Sequence, residues 1–307
     1  MQEQEDRRLT GELRAELDAL RERVSQGQLL PDSTEIIRQA REQRTRDLER
    51  AIYGEKAWLW RQRPDLALRD FDDFVAWLND VGLALFLPKR GVLLPSAREA
   101  VLGRPYQGGP VWMTEEWGEL GGLWQWKDRL GTERLGYYGI GLLPHLSFVS
   151  LTLLPSLLAL TSSRGRLASS RGRLAGLYEE GYLTRDAHRL HEMLTERGAM
   201  GRNALRRLAG LSAARLGRGL RELEADGLIA RVGVDDSAPG WPSTIYATFE
   251  EAYPAAVDEA AHLQDEDARR RVLSAYLRLV PDATDRDARR ALGWPLAAIE
   301  GTRSRLA

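Results

Sequence analysis

The chain contains no cysteine, only four histidines, and only three lysines among its 44 basic residues. The absence of cysteine excludes disulfides, thiolate zinc sites and cysteine nucleophiles. With so few histidines we predict no metal site and no other cofactor. Lysine at Lys56, Lys89 and Lys127 stands out, because a lysine amine can act as a base or form a Schiff base and an arginine cannot.

The sequence also lacks a strong net charge and a long apolar segment of the kind that forms a membrane-spanning helix. The formal net charge is -1 and hydrophobic residues make up 43%, which is typical of a soluble chain of about two globular domains. The one long uncharged stretch, 136–160, contains Pro144 and Pro155, so we expect buried strands or short core helices there and no membrane span. The charged N-terminus lacks the apolar core of a signal peptide, so we expect a cytoplasmic protein.

Helical signals dominate the first half of the sequence. Residues 31–160 contain seven of the nine tryptophans, and we predict a Trp-rich, mostly helical domain there, with a degenerate winged helix as an open alternative. Before it, apolar residues at spacings of three and four predict an amphipathic N-terminal helix within residues 1–30. These residues are Leu9, Leu13, Leu17, Leu20 and Val24.

Local signals place several elements in the Trp-rich domain. Asp70 and Ser96 are predicted N-caps, because each precedes an apolar segment and is followed three residues later by an acidic residue. The apolar runs 83–87 and 92–94 predict a small hairpin or a strand–turn–strand. An aromatic-rich helix is expected at about residues 114–130.

An identical tandem heptad separates the two halves. The sequence SSRGRLA occurs at 162–168 and again at 169–175. A recent duplication in a linker accounts for it, and a basic strap that follows a phosphate backbone is the alternative. We therefore assign residues 161–178 as an Arg/Gly/Ser linker.

The second half predicts a winged helix-turn-helix over residues 179–255. Thr184 and Ser212 are predicted N-caps of the first and third helices, and a second helix is expected at 201–209. Apolar strands at 228–234 and 244–249 then form a hairpin around the loop 235–243. Three helices followed by a hairpin are the order of a winged helix-turn-helix.

A three-helix module is predicted for residues 256–307, with Thr284 as one of its N-caps. The chain stops where a second wing would begin, so we interpret this module as a capping or packing module and not as a second DNA-reading unit. The predicted fold class is mainly α with small β-hairpins, arranged as tandem winged helix-turn-helix modules.

The placement of the arginines indicates a DNA-binding surface in the second half of the chain. Residues 161–231 contain 14 arginines, no lysine and eight acids, a net charge of +6. In the third helix, arginines at i, i+3 and i+6 share one face opposite three leucines, as a recognition helix requires. Gly217 and Gly219 interrupt this helix, and either a closely approaching partner or tight helix packing would account for them. The predicted DNA-binding residues are Arg202, Arg206, Arg207, Ser212, Arg215, Arg218, Arg221 and Trp241.

A second candidate site lies in the aromatic helix. Trp124 and Trp126 flank Lys127 and Asp128, and Tyr137 and Tyr138 follow. Base excision needs a base held outside the stack, commonly against aromatic rings, and a carboxylate that stabilises a sugar cation or activates water. We therefore predict an aromatic pocket formed by Trp124, Trp126, Tyr137 and Tyr138. Lys127 and Asp128 are the predicted catalytic residues.

Three stretches resemble the AlkZ/YcaQ-like superfamily of winged-helix DNA glycosylases. They are WKDRLGTERLGYYG followed by LSFVSLTLLPSLLAL, the segment from GYLTRDAHRLHEML to LRELEADGLI, and RRRVLSAYLRLVPDATDRDARRALGW. Together they span roughly residues 70–295. The family's catalytic Gln-x-Gln or Gln-x-Asp spacing is matched here by Gln2-Glu3-Gln4 and Gln26-Gly27-Gln28. Such short matches arise easily by chance, so the catalytic role is not transferred to these glutamines.

The resemblance implies tandem winged helices, duplex DNA as the partner and a role in DNA repair or lesion recognition. Glycosylase activity, the hydrolysis of an N-glycosyl bond, stays open. The alternative is a winged-helix transcriptional regulator whose first half senses a ligand or dimerises. The sequence gives no prediction of the oligomeric state.

Overall fold

The computed structural model describes residues 33–108, 120–162, 170–236 and 242–306. The predicted N-terminal helix, both Gln-x-Gln spacings and Trp241 lie outside the described residues. The chain divides into two compact units, residues 1–55 and 56–307. The first contains helix α1 (Ser33–Tyr53), which ends where Gly54 adopts a φ of 81°.

The described part of the chain is mainly helical, with fifteen α-helices and two small antiparallel sheets. The next elements along the chain are α2 (Glu55–Trp60), a 3-10 turn at Pro64–Leu66, α3 (Phe71–Val81) and α4 (Ala97–Leu102). Asp70 and Ser96 cap α3 and α4 as predicted, each accepting a hydrogen bond from the N–H three residues later.

The first sheet corrects the predicted hairpin between 83 and 94. Strand β1 (Leu83–Leu85) does not pair with residues 92–94; it pairs with β3 (Ser147–Val149), which also pairs with β2 (Tyr137–Gly139). The aromatic helix α5 (Gly121–Thr132) precedes β2. Phe148 of β3 and Phe74 of α3 make an edge-to-face contact with ring centroids 5.0 Å apart, so the sheet and α3 share an aromatic core.

The uncharged stretch 136–160 forms β2, β3 and most of helix α6 (Leu154–Ser162). Both strands are fully buried, as the sequence predicted. Among the described residues, no helix has both the length and the apolar character that crossing a membrane requires.

The second half follows the predicted element order closely. Helix α7 (Ser170–Glu179) includes most of the second heptad copy, so part of the expected linker is helical. It is followed by α8 (Arg185–Arg197), β4 (Met200–Gly201), α9 (Arg202–Ala209), α10 (Ala213–Ala225), β5 (Ile229–Asp235) and β6 (Ser243–Thr248). Thr184 and Ser212 cap α8 and α10 as predicted.

These elements enclose a leucine-rich core and one small sheet. Strand β6 pairs antiparallel with both β4 and β5. Leucines from α7, α8, α9 and α10 meet in one buried cluster with Ile229 and Tyr246. The sheet therefore closes one side of a helical core, and its β5–β6 hairpin extends from it.

The chain ends in α11 (Phe249–Ala252), α12 (Pro254–His262), α13 (Asp265–Leu279), α14 (Asp285–Leu292) and α15 (Leu296–Arg303). Thr284 forms a full capping box with Asp287 at the start of α14. Helix α6 packs against α12 and α13, so the helix that follows the first sheet holds the C-terminal helices in place.

Candidate functional site

The predicted arginine stripe lies on the outer face of α10. Leu216, Leu220 and Leu223 are buried on the opposite side of the helix. Arg215, Arg218 and Arg221 are all exposed. The period of 3.6 residues therefore separates the two sets as expected, and the rest of the described chain does not cover the stripe.

One member of the stripe is engaged within the protein. The Arg215 guanidinium donates two hydrogen bonds to Asp186 of α8, at 2.7 and 2.6 Å. This hydrogen bond lowers the pKa of the Asp186 carboxyl below its ordinary value. Arg215 thus attaches the first turn of α10 to α8, whereas Arg218 and Arg221 form no ion pair with any other described residue.

Helix α9 adds further positive charge beside this stripe. Arg202, Arg206 and Arg207 are exposed, as is Ser212 at the N-cap of α10. A Cβ placed on Gly217 would lie 3.4 Å from Arg202 Nη2 and 3.7 Å from Arg221 Nη1. The glycine therefore lies beneath two converging guanidinium groups, one from each helix.

A pocket of about 220 Å³ lies where α5 faces the β5–β6 hairpin. The helix contributes four residues at i, i+3, i+4 and i+7, a spacing that places them on one face. The hairpin contributes a guanidinium, a glycine and a hydroxyl group from the opposite side. The lining residues are Trp124, Lys127, Asp128, Gly131, Tyr138, Arg231, Gly233 and Thr244.

The charged groups of the pocket lie beside aromatic rings. The Lys127 ammonium donates to the Asp128 carboxylate and lies 5.5 Å from the Trp124 ring centroid and 5.7 Å from that of Tyr138. Burial, together with the negative charges of Asp128 and Glu224, raises the pKa of Tyr138 well above its ordinary value despite the nearby Arg231. The phenol is therefore a neutral hydrogen-bonding group at physiological pH.

An ion pair that was not predicted from the sequence supports the opposite wall. Arg231 of β5 donates to Glu224 of α10 through Nε at 2.6 Å and through Nη2 at 3.2 Å. Glu224 is only 2% exposed, and Arg231 lies 5.6 Å from the Tyr138 ring centroid. Burial lowers the pKa of Arg231, but the hydrogen bond and charge of Glu224 outweigh it, so the net pKa is raised and the side chain stays cationic.

Close backbone contacts fix the two walls relative to each other. A Cβ on Gly131 would lie 2.9 Å from the Arg231 carbonyl oxygen, so α5 approaches β5 more closely than any other residue would allow. Arg134, which adopts a φ of 56°, donates to the Val232 carbonyl at 3.0 Å. These contacts fix the distance between α5 and β5, so the pocket is already formed before a ligand binds.

Two of the predicted pocket aromatics do not line the pocket. Trp126 stacks on Phe74 with ring centroids 5.8 Å apart, and Tyr137 stacks on Phe249 at 5.5 Å and is 1% exposed. Neighbouring residues of a strand point to opposite faces, and residues two apart in a helix diverge by about 200°. Trp124 and Tyr138 line the pocket, whereas the half-buried Trp126 packs against Phe74 and Tyr137 is part of the core.

The family model described as AlkZ related matches residues 68–293, which is well over half of the chain. The chain belongs to the AlkZ-related family. The match includes the whole arginine surface on α9 and α10 and every residue that lines the pocket. No curated protein and no solved structure matches this AlkZ-related chain. Membership of the family suggests a function related to DNA repair.

Proposed function

We propose that this AlkZ-related protein binds duplex DNA through α9 and α10 and acts in DNA repair by recognising lesions. Residues 179–255 would form a winged helix-turn-helix, with α10 as the recognition helix and the β5–β6 hairpin as the wing. The elements occur in that order, and β4 completes the small sheet. A tandem arrangement with residues 256–307 belongs to the same proposal.

The observation that carries this proposal is the exposed arginine pair on α10. Arg218 and Arg221 lie on one face, pair with no described acid, and adjoin Arg202 of the neighbouring helix. Guanidinium groups are suited to binding both phosphates and guanine edges. Arginines that only solvated the surface of α10 would not need to converge with an arginine of the neighbouring helix. The family assignment favours repair over transcriptional regulation.

A salt titration tests the proposal. We expect the affinity for a labelled duplex to fall linearly on a log–log plot against salt, with a slope of about −0.9 for each phosphate neutralised. Replacing both Arg218 and Arg221 with alanine should make that slope shallower by up to about 1.8. Fluorescence anisotropy at several salt concentrations gives the slope directly.

Arg286 and Arg289 provide the matched control. They are exposed at the same i, i+3 spacing on α14, so their double alanine variant removes the same charge from a helix that the proposal does not place on DNA. It should retain the wild-type slope. Equal slopes for all three proteins would contradict the α10 interface, and strong preference for one palindromic operator over lesion-bearing duplexes would favour a regulator.

A further inference from the structure

The pocket between α5 and the hairpin places aromatic rings beside charged groups, and no ligand is assigned to it. Two cations and two carboxylates surround it: Lys127 with Asp128, and Arg231 with Glu224. Each cation is matched by one acid, so the described groups around the pocket have no net charge. Asp128 lines the pocket, and the buried Glu224 lies behind Arg231 and neutralises its charge. A phosphate would therefore meet no net positive charge, and a neutral ligand with polar edges fits better.

The donors and acceptors of the pocket are arranged for such a ligand. Glu224 occupies Arg231 Nε and Nη2 and holds the guanidinium in one orientation, while Nη1 donates to no other described residue. Lys127 supplies a further donor, and Asp128, whose side chain is 29% exposed, supplies an acceptor. Trp124 supplies an aromatic surface beside them.

From these groups we infer that the pocket binds one unstacked nucleobase, with the ring against Trp124 and its polar edge read by Arg231, Lys127 and Asp128. A nucleobase is planar, neutral and rich in both donors and acceptors, which matches the pocket group by group. Arg231 is then a base-reading residue, and Glu224 is its positioning residue.

The position of the pocket relative to the arginine surface supports this inference. The inference rests on the proposed function, because the bound duplex would supply the base. Thr244, which lines the pocket, adjoins Ser243, whose hydroxyl accepts a hydrogen bond from the Asn203 N–H at 3.3 Å. Asn203 lies in the first turn of α9, next to Arg202. A duplex bound on α9 and α10 would therefore pass close to the pocket.

Two duplexes separate a base contact from simple DNA flexibility. The first carries a thymidine opposite an abasic site, and the second carries abasic sites in both strands at the same position. Because both are locally flexible, only the first offers an unpaired base. We expect the wild-type protein to bind the first about tenfold more tightly, since one base–aromatic stack contributes on that order. A second arm titrates free thymidine and deoxyadenosine by calorimetry.

Three variants identify the pocket as the source of this preference. Trp124→Leu and Lys127→Gln should reduce the tenfold ratio to about one. Arg129→Gln removes the same charge from the same helix, but Arg129 lies over Phe71 outside the pocket, so this variant should retain the ratio. Binding of free nucleosides that Lys127→Gln abolishes would support the pocket and identify a free base as its ligand.

Equal affinity of the wild type for both duplexes, together with no nucleoside binding, would overturn the inference. A preference that persists in Trp124→Leu and Lys127→Gln would also overturn it, because the base would then bind elsewhere. Failure of the proposed function appears differently, as the absence of salt-dependent binding to any duplex. The nucleoside arm alone then decides whether the pocket binds a base.

Discussion

Asp128 is the carboxylate on which the prediction of base excision depends. It lines the pocket beside Lys127, and its side chain is 29% exposed, so both water and substrate can reach it. A carboxylate in that position can activate water or stabilise a developing sugar cation. Catalysis by Lys127 and Asp128 stays a prediction.

If Asp128 is catalytic, the wild-type protein should release a base from duplexes that carry bulky or crosslinked adducts, and Asp128→Asn should lower the rate about 100-fold. Affinity for an undamaged, fully paired duplex should not change, because Asp128 lies in the pocket and not on α10. Asp282→Asn, at an exposed residue between α13 and α14, is the control. If neither the wild type nor Asp128→Asn releases a base while both bind equally, the catalytic assignment is wrong.

The sequence identified only part of the pocket at the level of single residues. The rarity of lysine drew attention to Lys127, and the i, i+3, i+4 spacing of Trp124, Lys127 and Asp128 was visible in the helix. Arg231 was missed because its partner Glu224 and its neighbour Tyr138 come from separate elements. A charged residue inside the apolar strand LIARVGV was the available signal, since such a charge needs a buried partner.

Helix boundaries could be predicted, because an N-cap is determined by residues that are three positions apart. Asp70, Ser96, Thr184, Ser212 and Thr284 all cap helices as expected. Strand pairing could not be predicted in the same way. Strand β1 pairs with β3, from a distant part of the chain, and no local pattern specifies that choice.

The two glycines of α10 have different surroundings. We therefore expect their replacement with alanine to change the free energy of unfolding in opposite directions. A Cβ on Gly219 would lie 2.9 Å from Leu190 Cδ1 and 3.3 Å from the Ala187 nitrogen, both in α8. A Cβ on Gly217 would meet only the flexible ends of two arginines. Tight packing therefore accounts for Gly219.

We expect Gly219→Ala to lower the free energy of unfolding by about 1–2 kcal/mol, because overpacking outweighs the gain in helix propensity. Gly217→Ala should raise it by about 0.5–1 kcal/mol, because only the propensity term remains. Urea denaturation of the two variants beside the wild type checks both signs. A destabilised Gly217→Ala would show that the arginine ends above it are held rigidly.

At the scale of the whole second unit, His145 links segments that are far apart in the sequence. Its Nδ1 lies 3.0 Å from Lys89 Nζ, and its Nε2 lies 2.8 Å from the Arg290 carbonyl oxygen of α14. An ammonium only donates and a carbonyl only accepts, so Nδ1 must accept and Nε2–H must donate. Both contacts are satisfied only when the imidazole is neutral.

Acid should therefore weaken the attachment of the C-terminal helices. Burial lowers the pKa of His145 below 6.5, with Lys89 adding to the effect, so the unfolded chain takes up the proton more readily than the folded one. Stability from this site is complete above about pH 6.5 and declines as the pH falls through the folded pKa. Between pH 7.5 and 5.5 we expect the wild type to lose more unfolding free energy in urea than His145→Asn.

His262→Asn is the control, since His262 is exposed at the end of α12, and it should retain the wild-type pH dependence. Parallel losses in the wild type and His145→Asn would show that protonation of His145 does not control the docking of α14.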